Sequence, residues 1–410
     1  MYFPIISLSR IRSASLMSES CNVCGSRAIE TVFRSGERYS ITTMNTFVDG
    51  ETVVAYCPNC DHAQTAELPD LARFYAEDYE INIDSADEDQ LYGLVDGANV
   101  YRSEHQANTL ATKINLTEYR NVLDYGCAKA HTLRRLVDLA PNIRAHMFDV
   151  TDKYISFWAS FPGDRDWAAF EPKAEWAGAM DVVLSFYALE HIKDLDLALE
   201  NVKRLLRDGG IFYFIVPNLY ENVADLIVAD HVNHFSRSSL HVMLKRAGFR
   251  DVEIDETAHA AAFVVHARLD KAGAKSPEPA KPEPAKVEMK ENLLQIVGFW
   301  ERLKGRIQAF EASLAPDAGR VIYGAGIYGN YIFSCLREPQ KIAAFLDQNK
   351  FLAGKEIKGV PIRDPADVPA GTDAVLVGLN PKSGRDIIAN VSSLQGQGYS
   401  FLFLDDVENH

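Results

Sequence analysis

Long apolar runs are missing from this 410-residue chain. None approaches the ~20 residues that a bilayer span needs, so no membrane-spanning helix is expected. A basic excess is missing too. Lys and Arg number 42 against 57 Asp and Glu, a formal net charge of −15, which argues against a nucleic-acid backbone as the main partner. It leaves room for a small anionic ligand, because loops and helix ends bind phosphate on acidic proteins as well. Cysteine is scarce. Four of the six, Cys21, Cys24, Cys57 and Cys60, fall in two C-x-x-C pairs, with Cys127 and Cys335 far from them. That distribution does not read as a disulfide framework. A secretory signal is not recognised either, since the first apolar segment precedes its arginines rather than following them. Met17 is the expected start, residues 1–17 an unstructured leader, and the cytoplasm the expected compartment.

What is present is ordinary globular composition, 47% hydrophobic and 24% charged, at a length that predicts two or three domains. A Pro/Lys/Ala/Glu-rich stretch at 270–290 has no hydrophobic period and reads as a semi-extended linker. Before it, "NVLDYG", "IRAHMFDV", "DVVLSFYALEHI" and "IFYFIVPN" read as buried strands. They alternate with the helical "HTLRRLVDLA" and "LDLALENVKRLLRDGG", the second stopped by glycine. Such alternation implies a parallel sheet covered on both faces. After the linker come a helical stretch, "LLQIVGFWERLKGRIQAFEASL", and a shorter β/α region. The expected division is a head at 18–75, a main α/β domain at 76–269, the linker, and a helix plus smaller α/β domain at 291–410.

The pairs "CNVC" and "CPNC" each set two thiolates on a tight turn, and two such knuckles close a tetrahedral Zn²⁺ site. Four sulfur ligands leave no open position, so the ion would be structural. His62, just past the last cysteine, reads as a loop residue rather than a ligand.

Two glycine loops compete for the cofactor. In "VLDYGCAKA" an acidic residue, Asp124, ends a strand and Gly126 follows. The segment resembles the D/E-x-G-x-G-x-G of class I methyltransferases that use S-adenosylmethionine (SAM), with Ala128 and Ala130 at two glycine positions. Both substitutions are small, which preserves room, and SAM has no pyrophosphate to pack against the loop. Asp149 ends the next strand, where a carboxylate would accept both ribose hydroxyls. "DVVLSFYALEHI" and "RLLRDGGIFYFIVPN" resemble the fourth strand, helix and fifth strand of the same family. The resemblance covers about Tyr101 to Arg268. It implies a Rossmann-like domain binding SAM through Asp124, Gly126, Ala128, Asp149 and Ser185, with Glu171 either at the adenine amino group or a solvated loop carboxylate.

The order of cysteine head, SAM domain and C-terminal glycine-loop domain resembles the sugar C-methyltransferases that act on nucleotide-linked keto-deoxysugars. "FYAEDYEI" and "ADHVNHFSRSSLHVMLKRAGF" also resemble segments of that family. A carbon next to a carbonyl becomes nucleophilic only when deprotonated, and an imidazole suits that task. The resemblance implies His231 as base, Asp230 as its orienting carboxylate, and His191 and Tyr79 as polar contacts near a keto-sugar. The chain departs from the family's Y-x-E-H, with Val228 at the tyrosine position and Asp230 at the glutamate position. A structural or substrate-positioning role for His231 stays open, and His234 reads as a packed loop residue. The rival readings are an O- or N-methyltransferase on a saccharide or secondary metabolite, and an NAD-dependent sugar oxidoreductase. The latter would use "VIYGAGIYGN", whose Gly324, Gly326 and Gly329 fit the dinucleotide fingerprint with Asp347 near the ribose position. The tail lacks a second mononucleotide half, so it is expected to serve as a substrate-cleft wall or nucleotide-sugar contact, or else as scaffold whose glycines permit tight strand-to-helix packing.

Overall fold

The computed structural model describes residues 19–37, 39–67, 88–95, 98–270 and 287–405. The expected leader, Tyr79 and most of the expected linker lie outside that set.

The head contributes β1 (Glu30–Arg34), a hairpin of β2 (Tyr39–Ile41) and β3 (Phe47–Asp49), then β4 (Val53–Cys57) and β5 (His62–Thr65). A hairpin of β6 (Leu91–Val95) and β7 (Ala98–Tyr101) follows, and then the main sheet begins. Its strands are β8 (Asn121–Tyr125), β9 (Arg144–Asp149), β10 (Arg165–Ala169), β11 (Met180–Phe186) and β12 (Leu206–Pro217). β13 (Asn233–His234) leaves this sheet to pair with β5, and β14 (Phe249–Asp255) and β15 (Ala262–Leu269) complete it.

The main order is β10-β9-β8-β11-β12-β15-β14, with β15 antiparallel to both neighbours. The order reverses between β8 and β11, and a crevice opens there at the carboxyl ends of parallel strands. This is the Rossmann-like arrangement expected for the middle region. Its central strands are apolar on both faces: Val122, Leu123, Val182, Val183, Leu184 and Phe214 are fully covered. One boundary differs from the sequence reading. The helix Leu195–Leu205 ends before the glycines, and β12 already runs through them. The register jumps from Met180↔Leu206 to Val182↔Ile211, so Gly209, at φ +70°, serves a bulge rather than a helix stop.

The tail opens with the helix Val287–Ser313, which starts inside the expected linker. Six strands follow: β16 (Gly319–Tyr323), β17 (Ile342–Leu346), β18 (Glu356–Ile357), β19 (Val360–Arg363), β20 (Thr372–Val377) and β21 (Ser400–Leu402). The order β18-β19-β17-β16-β20-β21 gives a second, smaller Rossmann-like sheet with its own switch point between β16 and β20.

Packing ties these parts together. β13 adds a fourth strand to the head sheet. One apolar core joins Phe33, Val54 and Tyr56 of the head to Leu219 and Leu226 of the middle region, Trp300 of the long helix and Ile322 of the tail. Among the described residues no helix is long and apolar enough to cross a membrane.

Candidate active site

Asp124 ends β8 almost fully buried, and its Oδ1 has no hydrogen-bond partner among the described residues. Burial, then the charge of Asp149, pushes its pKa up to about 8. Gly126 follows at φ +79°, where a Cβ would come within 2.9 Å of Ala188 Cβ. The next two glycine positions of the motif hold alanines, yet the backbone keeps the glycine conformation: φ is +44° at Ala128 and +58° at Ala130. Left-handed backbone costs an L-residue roughly 1–2 kcal/mol. The loss is therefore one of backbone freedom, which the reading in terms of space overlooked. Local hydrogen bonds offset it. Asp149 Oδ2 accepts the Ala128 N–H at 2.9 Å, and the Trp158 indole N–H donates to Ala128 O at 2.7 Å. Burial raises Asp149 itself to about 6, against the opposing backbone N–H groups of Ala128, Val150 and Thr151.

A cavity of about 1180 Å³ lies over these strand ends, lined by Asp124, Gly126, Ala128, Asp149, Glu171 and His191 among others. Val150 and Phe170 also line it with 71% and 62% of their surface exposed, and neither was identified from the sequence. Large exposed apolar side chains in a concavity mark a ligand surface. The available signal was position: each stands just past the end of a strand. Ser185, expected among the cofactor contacts, does not line the cavity. Its hydroxyl donates to Tyr125 O at 3.0 Å and fixes the end of β8. Acidic groups at two strand ends, a buried carboxylate oxygen without a partner, and flanking apolar faces suit a cationic adenosyl ligand.

The second cluster lies beyond His191. Asp225 Oδ1 sits 2.5 Å from His231 Nδ1, and its Oδ2 sits 2.6 Å from His234 Nδ1. The orienting carboxylate of His231 is thus Asp225, not Asp230 as expected. Asp230 is turned toward the head, where it accepts the N–H of Thr43 at 2.8 Å and its hydroxyl. Its backbone oxygen accepts from His191 Nδ1 at 2.8 Å. The His191 and His231 rings meet edge to face at 4.7 Å. Burial opposes charge on His231, but Asp225 outweighs it, with Glu190 and Asp230 adding, and the pKa rises to about 9. Burial and the His231 charge push His191 down to about 4. Glu190 is fully buried with neither carboxylate oxygen hydrogen-bonded among the described residues, and burial raises it to about 7. His234 is not a loop residue. It lies in β13 with its second nitrogen 2.7 Å from Thr65 Oγ1 of the head.

In the head, Cys21 and Cys60 sulfurs lie 3.5 Å apart, as do those of Cys24 and Cys57, and all four lie within 4.8 Å of one another. A disulfide would need about 2.0 Å. A tetrahedral zinc with bonds of about 2.3 Å sets its sulfurs about 3.8 Å apart, so the four residues fit that ion. His62 belongs to β5 rather than a loop. It is fully buried, 3.2 Å from Asn233 Oδ1, and held neutral by burial.

The intact glycine loop is built differently. A Cβ on Gly329 would stand 1.9 Å from Gly324 O, and one on Gly324 would stand 2.4 Å from Gly378 O. These glycines interlock the helix Ile327–Cys335 with β16 and β20. Both oxygens of Asp347 accept backbone N–H groups, from Ala325 and from Asn349, each at 2.8 Å.

The profile of the methyltransferase-domain family matches residues 100–254. The chain is 27% identical over 240 residues to the C-methyltransferase NovU of Streptomyces niveus, an alignment covering 55% of this chain. The chain spans 57% of that relative's length. Among solved structures it resembles human N-acetylserotonin methyltransferase in complex with SAM. That match has 17% identity and a TM-score of 0.36 over 41% of this chain and 53% of that one. It also resembles a SAM-dependent methyltransferase from Archaeoglobus fulgidus, with 16% identity and a TM-score of 0.34 over 41% and 95%. Strand order, the loop after β8 and the family profile agree: residues 100–254 are a class I SAM-dependent methyltransferase domain.

Proposed function

We propose that the whole protein is a SAM-dependent C-methyltransferase whose substrate is a nucleotide-linked keto-sugar, and that its four-cysteine head holds a structural zinc. The observation that carries the reading is the buried Asp225–His231 pair set against His191 on the cavity wall. Transfer to oxygen or nitrogen starts from an existing lone pair and loses its proton during or after attack, whereas a carbon acid has no nucleophile until a positioned base has removed its proton. SAM, when bound, supplies an electrophilic methyl group. His231, anchored through Nδ1 by Asp225, takes the proton beside the substrate carbonyl on Nε2 in its neutral form, a fraction that grows as pH climbs toward its pKa of about 9. His191, neutral and giving its Nδ1 hydrogen to Asp230 O, meets the substrate through Nε2 as an acceptor, so the charge that develops on the carbonyl oxygen falls to other donors of the cavity wall. The likeness to a protein named as a C-methyltransferase points the same way.

A panel of nucleotide keto-sugars incubated in D₂O without SAM tests the reading. The expected result is deuterium uptake at one carbon next to the carbonyl, at which carbon a methyl then appears by NMR and mass spectrometry once SAM is added. Methyl transfer to an oxygen or nitrogen with no exchange would overturn it. Val228, which leaves the site without the family's phenol, makes that rival worth the control. The zinc has its own test: one ion per chain by elemental analysis, lost together with thermal stability in Cys57→Ser. Full metal content in that variant would overturn the assignment.

A further inference from the structure

The tail's switch-point crevice, between the carboxyl ends of β16 and β20, is where a Rossmann-like sheet ordinarily takes a ligand. Here it faces residues 220–224 of the middle region. The Lys382 ammonium, in the loop after β20, donates to Tyr220 O at 2.9 Å and to the Glu221 carboxylate at 2.7 Å. The Asn380 amide donates to Glu221 O at 2.9 Å. From the glycine loop's helix, the Tyr328 hydroxyl donates to Asn222 Oδ1 at 2.8 Å and accepts the Ala224 N–H at 3.1 Å. The Trp300 indole N–H, stacked beside Tyr328, donates to Val223 O at 2.8 Å. Five consecutive residues are therefore gripped by the tail, and the sixth is Asp225.

We propose that the tail uses its nucleotide crevice as a socket for this segment, and that Tyr328 is a positioning residue setting the Asp225–His231 geometry. This rests on the reading of His231 as the base. The reasoning is mechanical. Asp225 stands at the middle of the short turn Val223–Ile227, and its two oxygens must reach both His231 and His234. Bonds of 2.5 and 2.6 Å tolerate little rotation of that carboxylate. The Tyr328 hydroxyl lies one residue upstream of Asp225 at Ala224 and three upstream at Asn222. It fixes the peptide that aims the carboxylate. The crevice brings its own polar partners to protein groups, with Glu221 as the anion against Lys382. This also gives an intact glycine fingerprint a use that needs no nicotinamide.

The charged and titratable groups around His231 are Asp225 on its own segment, Asp230 beside it, Glu190 and His191 from the turn after β11, and His234 behind Asp225. Among the described residues, none of these groups belongs to the tail. A change at Tyr328 therefore reaches the imidazole only by moving Asp225.

The test is Tyr328→Phe in the zinc-loaded full chain, which keeps the ring stacking and removes the hydroxyl. The titration of His231 is followed by NMR on histidine-labelled protein. A downward movement of its midpoint by about one pH unit is expected. Above pH 9.5, where the imidazole is largely neutral in both forms, a fall in kcat of about ten-fold is expected with it, while calorimetric affinity for SAM stays within two-fold. Asn222→Ala, which removes one of the two hydrogen bonds and leaves the Ala224 N–H on the hydroxyl, should give a smaller shift in the same direction and covers the case in which Tyr328→Phe misfolds. An unchanged His231 midpoint in a folded variant, with unchanged kcat, would overturn the proposal. If instead the product is an O- or N-methyl, the reading of His231 as base falls. The midpoint shift still decides whether the tail positions Asp225.

Discussion

Two strand–loop–helix turns in this chain share a backbone plan and differ in what they hold. The loop after β8 has lost two of its three glycines, yet it opens on a large cavity with a buried acidic oxygen left without a partner among the described residues. The loop after β16 keeps every glycine and uses two of them, Gly324 and Gly329, against its own neighbours, while a Cβ on Gly326 would meet nothing within 4 Å. The lesson is that a glycine pattern reports backbone geometry and close approach, and not by itself a cofactor. What marks a binding loop is polar capacity left over once the fold is satisfied. Asp124 has it, whereas the matching position on β16 is the apolar Ile322; Asp347 accepts backbone N–H groups much as Asp149 does.

The comparison breaks most readily at Gly329. A methyl group 1.9 Å from Gly324 O cannot be accommodated without moving β16 against its helix. Gly329→Ala should cost on the order of 4 kcal/mol of stability, read by denaturant unfolding. A loss below 1 kcal/mol would show that the glycines are not there for packing.

The two carboxylates give the next contrast. Asp149→Ala should weaken SAM binding about thirty-fold by calorimetry, since one charge-assisted hydrogen-bonding group is removed and Ala128 is released. Asp347→Ala should leave SAM affinity unchanged and lower stability by roughly 1–3 kcal/mol. Equal effects on SAM would mean that the two loops cannot be assigned different tasks.

A smaller effect follows from protonation. His231 is raised from 6.5 to about 9 in the fold, so its stabilising contribution is complete below pH 6.5 and is lost as pH climbs through 9. Glu190, raised from 4.5 to about 7, and Asp124, raised from 3.8 to about 8, act with the same sign over lower windows. Tm should decline from pH 6.5 to 9, and Asp225→Asn should flatten the upper part of that decline. A Tm rising over this range would contradict the assigned pairing.

The smallest effect belongs to Ala128. Ala128→Gly removes left-handed strain but frees the unfolded chain, which offsets part of the benefit, so a net gain of about 0.5–1 kcal/mol is expected with SAM affinity intact. A loss would mean that the methyl packs better than φ suggests.

Much of this was legible in the sequence. The strand–helix alternation, the acidic residues at the ends of β8 and β9, and the paired cysteines each follow from local patterns of period or spacing. What was not legible depends on long-range pairing. Asp225 replaces Asp230 on His231 because β13 crosses to the head and carries His234 with it, which draws Asp230 toward Thr43. Ser185 looked like a cofactor contact because it lies on β11 near the cavity, but strand alternation turns its hydroxyl to Tyr125 O. Val150 and Phe170 gave no signal as single apolar residues until the fold left them uncovered at the cavity. The grip of the tail on residues 220–224 spans from about 80 to 160 positions in sequence, beyond the reach of any motif.

Calorimetric titration of the zinc-loaded full chain with SAM and, separately, with NAD addresses the assignment of the two loops most directly. The account predicts one SAM bound per chain, abolished or strongly weakened in Asp149→Ala and unaffected in Asp347→Ala, with no heat from NAD. Saturable NAD binding lost in Asp347→Ala, with no response to SAM, would contradict it.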